Sequence, residues 1–320
     1  MAQFINPFTD TGFKIIFGKE DVSNDILISF LKVLFADDPV LSKINSVQYR
    51  QSERTREWED GKSIVYDVHC VTSTGHRFIL EMQVNEQEFF LKRAFYYLCR
   101  CIAEQGYKGK LSLEERRKKG LETHSDLTSY SNEDSIYWDY NFIPVVGVFF
   151  SSFFIDGLEP KLVTSSQNMD IHTFTPVGDY LRAVFIQLPA FTKTKQECET
   201  LFDQWIYNLK HMSSMESMAF TSHQDIFKRL ANIANLATLS PQDREQYEYD
   251  LKKARDYHAE MNFARKKAMN EGRAEGRAEG IAEGIAQEKI NNAINLKKMG
   301  VPVHTISQAL NLSEDEIANL

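Results

Sequence analysis

The run SIVYDVHCVTSTGHRFILEMQV, residues 63–84, constrains the fold more than any other part of the chain. Two alternating apolar stretches flank a Ser/Thr/Gly turn, which is the pattern of an antiparallel hairpin with one buried face. The period of two places Val65, Asp67, His69 and Val71 on one face of the first strand. Ile79, Glu81 and Gln83 share one face of the second. Asp67 and Glu81 therefore meet if the register allows, which would put two carboxylates where an all-apolar face would be ordinary.

Elements of both kinds surround this hairpin. SNDILISFLKVLF sets Ile26, Leu27, Phe30, Leu31, Leu34 and Phe35 on one helical stripe, with Ser23 or Asn24 as cap and Asp38-Pro39 as stop. Asn45–Tyr49 reads as a short strand, and the charged run from Arg50 to Lys62 as a loop or a splayed hairpin end. The aromatic segment 88–107 reads as a helix carrying Arg93, Tyr97 and Arg100 at roughly one-turn spacing. Residues 141–155 and 180–191 have strand composition and can extend the hairpin sheet, with Pro144 restricting the start of the first. Helices follow around 196–211 and 224–239. Ahead of everything, NPFTD suggests a turn into a helix.

The last quarter changes character. EGRAEGRAEGIAEGIAQE repeats every four residues, with glycine at 272, 276, 280 and 284. Alanine favours a helix there, each glycine weakens it by about 1 kcal/mol, and glutamates four apart repel. A helical stalk held by self-association and a plain linker both fit. Beyond it, a helix closed by Gly300, a second over 303–310 and a third opened by the Ser313/Glu316 capping box form a helix-turn-helix-like tail around Ile294, Ile306, Leu310, Leu312 and Ile317. The expected domains are a core over 1–215 with a polar insertion near 106–136, a helical extension over 216–269, the repeat over 270–289 and the tail over 290–320.

Charge and cysteine content exclude some functions. Thirty-seven basic against 45 acidic residues leave a net charge of -8, so any nucleic acid must be met by a local cationic surface. Four cysteines at irregular spacing fit a reducing, cytoplasmic setting. Cys99 and Cys101 alone are weak grounds for zinc. No apolar run reaches the roughly 18 residues of a membrane span.

Asp67 with Glu81-Met82-Gln83 is the sharpest chemical feature. Two carboxylates on adjacent strands, with the Met82 backbone carbonyl, can hold a hard divalent cation. Such an ion binds a phosphate oxygen and lowers the pKa of attacking water. Gln83 can orient that water but cannot act as an ordinary base.

These residues resemble the PD-(D/E)XK nuclease superfamily, in particular its Rpn-type recombination-promoting nuclease and putative-transposase branch. The resemblance runs through NPFTDTGFKIIFG, DGKSIVYDVHC, HRFILEMQ and KRAFYYL, and on to the EGRAEG repeat and VPVHTISQALNLSEDEIANL. It implies an α/β fold, a restriction-endonuclease-like mixed sheet flanked by helices, with a helical C-terminal extension. It also implies a magnesium-dependent DNA endonuclease, with Mn2+ able to substitute, tied to recombination or mobile elements. By that resemblance Asp67 is the first metal-binding acid and Glu81 the second, and Gln83 stands where the wider superfamily commonly has lysine. The missing lysine charge would have to be replaced by Arg93 or by a metal-bound water network. Asp10 would complete the site and Lys14 contact phosphate; a capping acid and a solvated lysine are the equally weighted plain reading. Lys62, Arg93 and Arg100 are further phosphate-binding candidates. His69, Tyr96 and Tyr97 read better as packing residues. DNA and a second copy of the chain, through the C-terminal helices, are the expected partners, without a membrane. The alternative is a nuclease-fold DNA-binding or assembly protein with little or no cleavage.

Overall fold

The computed structural model describes residues 3–50, 65–109, 140 and 142–320. The expected loop over 50–62 and the polar insertion near 106–136 lie for the most part outside them, as does Lys62. Two compact units divide the chain, Met1–Leu251 and Lys252–Leu320.

The first unit is built on a six-stranded mixed sheet in the order β1-β2-β3-β4-β6-β5. Its strands are β1 (Val47–Tyr49), β2 (Val68–Thr72), β3 (Arg77–Gln83), β4 (Val145–Ser151), β5 (Val163–Gln167) and β6 (Leu181–Gln187). β1, β2 and β3 run antiparallel, β3 pairs in parallel with β4 and β4 with β6, and β5 closes the edge antiparallel to β6. β4 reads VVGVFFS and is buried along its whole length, as a parallel strand covered on both faces requires. The expected hairpin forms between β2 and β3, with Val68 opposite Leu80 and His69 opposite Ile79.

Pleating divides the strands between two cores. Cys70, Phe78, Leu80, Val148, Phe150 and Ile186 face one side with the helices α1 (Asp10–Phe17), α2 (Glu20–Leu34), α4 (Leu201–His211) and α5 (Asp225–Ile233). There Phe17, Phe30, Phe150 and Trp205 stack and tilt against one another at centroid distances of 5.4–6.5 Å. Ile79, Val145, Phe149 and Phe185 face the other side, under α3 (Phe90–Gly109). Gly147 is what lets α3 approach: a Cβ there would lie 2.7 Å from Leu98.

Local expectations missed some boundaries. β5 was not foreseen, because VTSSQ has little apolar content and is only partly buried at the edge of the sheet. The helix expected to run to residue 239 stops at Ile233, where Asn235 caps a separate short turn.

Helix α6 (Pro241–Lys298) is continuous through the glycine repeat. Once a helix is nucleated, each further residue adds a hydrogen bond, so scattered glycines reduce its stability without breaking it. In the second unit, residues 252–288 are all exposed. Gly300, at φ +80°, ends α6, and α7 (Val303–Leu310) and α8 (Glu314–Ala318) follow. The expected Ser313/Glu316 capping box is present. Ala293, Ile306 and Ile317 form this unit's buried core. Ile294, expected there, is only partly buried, since Ala293 presents the inward position of that turn.

Candidate active site

The motif NPFTDTG is a built turn. The Asn6 side chain accepts from Phe8 N (3.0 Å), and the Asn6 carbonyl accepts from the Thr9 hydroxyl (2.9 Å). Thr9 then caps α1 by accepting from Gly12 N at 3.0 Å. Gly12 has no substitute, because a Cβ would lie 2.1 Å from the Asn6 carbonyl oxygen. This turn sets Asp10 and Lys14 one helical turn apart, joined by an ion pair of 2.7 Å.

The hairpin brings the two other acids together. Asp67 immediately precedes β2, so the Val68–Leu80 register sets it beside Glu81. Its backbone N–H donates to Glu81 Oε1 at 3.2 Å, and its own Oδ2 accepts from Met82 N at 3.0 Å. Both side chains are partly exposed at the end of the sheet, while their carboxyl groups are crowded by protein. Burial, opposed by the Met82 N–H and reinforced by the neighbouring Asp10, pushes the Asp67 carboxyl up to about 6. Burial and the Asp67 charge hold Glu81 well above the carboxylate range, against the pull of Arg93 and Lys14. Burial works against the Lys14 charge, yet Asp10, then Asp67 and Asp250, keep its pKa above the ordinary lysine value. Asp10 and Lys14 thus lie within electrostatic reach of the acid pair.

On the other flank stands Arg93 of α3. It donates to the Gln83 and Gln87 side-chain oxygens, and its guanidinium lies 5.4 Å from the Phe90 ring and 5.8 Å from the Tyr97 ring. Gln83 Nε2 donates to the Asn85 carbonyl at 2.9 Å. Gln83 is therefore held at both ends of its amide, with a cation at the oxygen end. Burial and then Glu81 raise the Tyr97 hydroxyl, which keeps it protonated. Tyr96 is exposed. Arg100, itself on α3, is only 9% exposed, and its charge acts on buried Tyr66. His69 is buried with its Nε2 3.9 Å from Cys101 Sγ and its ring 5.3 Å from that of Tyr66.

Among the described residues no cluster of three or more His, Cys, Asp or Glu side chains has the geometry of a metal cage. The acid pair offers hard carboxylate oxygen donors, with the Asp67 charge raising the pKa of Glu81, a donor set whose chemistry fits a hard divalent cation better than zinc. Asp250 was missed by sequence reading. It stands 240 residues from Asp10 in a helix whose local pattern says nothing about the acids.

A sequence model of the family described as PD-(D/E)XK nuclease family transposase matches residues 7–118 and 128–264, most of the chain. No curated protein and no solved structure matches at a significant level.

Proposed function

Because the chain belongs to the PD-(D/E)XK nuclease family transposases, we propose that it is a metal-dependent DNA endonuclease, hydrolysing phosphodiester bonds in recombination or at mobile elements. The observation that carries this reading is the side-by-side placement of Asp67 and Glu81 at the end of β2 and β3, between Lys14 and Arg93. Asp67, Glu81 and the Met82 carbonyl would hold Mg2+, or Mn2+ in its place. In a strand the N–H and C=O of one residue leave on the same side, and the Met82 N–H points at Asp67. The bound ion would neutralise phosphate charge and acidify water.

The chain's own residues divide the remaining tasks. Gln83 carries no charge and accepts from the Arg93 guanidinium, so Arg93 would supply, beside it, the positive charge that lysine supplies elsewhere in the superfamily. Lys14 is the phosphate contact on the opposite flank, with Asp10 fixing its amine. Buried Arg100 supports α3 rather than touching substrate. Cleavage of supercoiled plasmid with Mg2+ or Mn2+, lost in Asp67→Ala and Glu81→Ala, is the expected result. A folded, metal-binding protein that never cuts would instead favour the DNA-binding or assembly reading, which the tethering of Gln83 at both ends also supports.

Four free thiols suit a reducing cytoplasm, and among the described residues no helix is long and apolar enough to cross a membrane. Self-association through α6 is the second part of the proposal. Each repeat glycine follows a glutamate and precedes Arg273, Arg277, Ile281 or Ile285, so the glycine stripe has an acidic flank and a basic-to-apolar flank. Within one helix the like charges four apart repel, and nothing lies within 4 Å of where a Cβ would stand at Gly272, Gly276, Gly280 or Gly284. A parallel two-fold pair would set each acidic flank against the partner's other flank, whereas an antiparallel pair would set glutamate against glutamate. Light scattering should give a dimer mass that falls to monomer in Gly276→Leu; a monomeric original chain would end this part of the proposal.

A further inference from the structure

One stripe of α6 meets α1 and the residues flanking it at three points. Asp243, Tyr247 and Asp250 recur at the i, i+4, i+7 spacing of a single helix face. Asp243 pairs with Lys19, just past the end of α1. The Tyr247 hydroxyl accepts from Asn6 N at 2.7 Å, in the turn that opens α1. Asp250 Oδ2 accepts from Thr11 N at 2.8 Å, and its Oδ1 accepts from Gln246 Nε2 at 3.2 Å.

The first turn of α1 thus has two caps of different origin. Gly12 N is satisfied locally by Thr9, and Thr11 N by a carboxylate 239 residues away. An anion at this end also meets the positive pole of the helix. Asp10 occupies that same turn and Lys14 the next, and Lys14 feels the charges of Asp10, Asp67 and Asp250 together.

We infer that Asp250 is a positioning residue of the acid face: by capping α1 from the root of α6, it fixes the Asp10–Lys14 pair beside Asp67. The inference rests on the nuclease reading for its consequence and on geometry for its mechanism. The catalytic face is accordingly assembled from both ends of the sheet-bearing unit, and loosening the clasp at Asp250 displaces the pair, whereas loosening it at Asp243 frees only the far end of α1.

The test compares Asp250→Ala, Asp250→Asn and Asp243→Ala in the full chain. Amide exchange at Thr11 should rise roughly tenfold in Asp250→Ala, the size expected for loss of one cap, and return most of the way in Asp250→Asn, whose amide oxygen still accepts. Calorimetric Mn2+ affinity and plasmid cleavage should fall with Asp250→Ala, recover with Asp250→Asn and hold in Asp243→Ala. In an Asp10→Ala, Lys14→Ala background, Asp250→Ala should reduce cleavage little further, because its effect passes through that pair. If the original chain neither binds Mn2+ nor cuts, the nuclease reading fails, and the Thr11 exchange rate still decides whether Asp250 holds α1. Unchanged exchange in Asp250→Ala, or a loss of Mn2+ affinity no greater than in Asp243→Ala, would overturn the inference.

Discussion

The two ends of the sheet each carry a cluster of charged side chains, and they are opposite in character. Near the starts of β3 and β6, Arg182 bonds to both Asp38 and Asp179, and Asp179 also meets buried His76 at 2.9 Å. Desolvation of Asp38 is outweighed there by the Leu41 N–H and Arg182, so its carboxyl titrates below the usual range. At the other end, Asp67 and Glu81 lie side by side with both pKa values raised. One cluster sets Arg182 between two carboxylates and joins the segment after α2 to the starts of β3 and β6; the other crowds two carboxyl groups whose raised pKa values Lys14 and Arg93 only partly offset. Charge that is balanced within the fold supports stability, while charge left unbalanced is available to a cation or a substrate.

The largest expected effect breaks that contrast from the acid side. Asp67→Ala or Glu81→Ala should lower metal-dependent plasmid cutting by about a thousandfold or more. The isosteric Asp67→Asn and Glu81→Gln should also abolish cutting, yet raise the metal-free unfolding free energy by about 1 kcal/mol, because a buried like-charged pair is removed and the Met82 N–H keeps its acceptor. Urea unfolding in EDTA checks this, and a loss of stability in both amide variants would show that the pair is not strained.

Breaking the opposite end should do the reverse. Arg182→Met leaves Asp38 and Asp179 without their shared cation and should cost about 2–3 kcal/mol, with Mn2+ affinity unchanged by calorimetry. A smaller effect sharpens the comparison through pH. Asp38 has a depressed folded pKa, so the unfolded chain binds more protons and stability rises with pH in that range. Its contribution is complete above the unfolded carboxyl value near 3.9 and disappears as pH falls through the folded value. The gap in unfolding free energy between the original protein and Arg182→Met should therefore narrow below about pH 4, and a constant gap between pH 6 and 3 would contradict the pairing.

Much of the acid end was legible because it is local. A two-residue period and a Ser/Thr/Gly turn suffice to align Asp67 with Glu81, fourteen residues apart, and the repeat, Gly300 and the Ser313 cap act within a few residues of themselves. The balanced end was not legible. Asp38, His76 and the Asp179–Arg182 pair come from three separate segments and resemble ordinary surface residues along the chain.

Sequence alone determined the hairpin and its paired acids, the helix carrying Arg93, and the small capped helices of the tail, since hydrophobic period, turn chemistry and capping are short-range properties of consecutive residues. Only the tertiary structure decided that Arg93 grips Gln83, that Arg100 is buried while Lys14 reaches the acids, and that Asp250 caps α1. These contacts depend on which helix face packs against which strand, and that is settled by burying the two apolar cores together, not by any pattern a single segment carries.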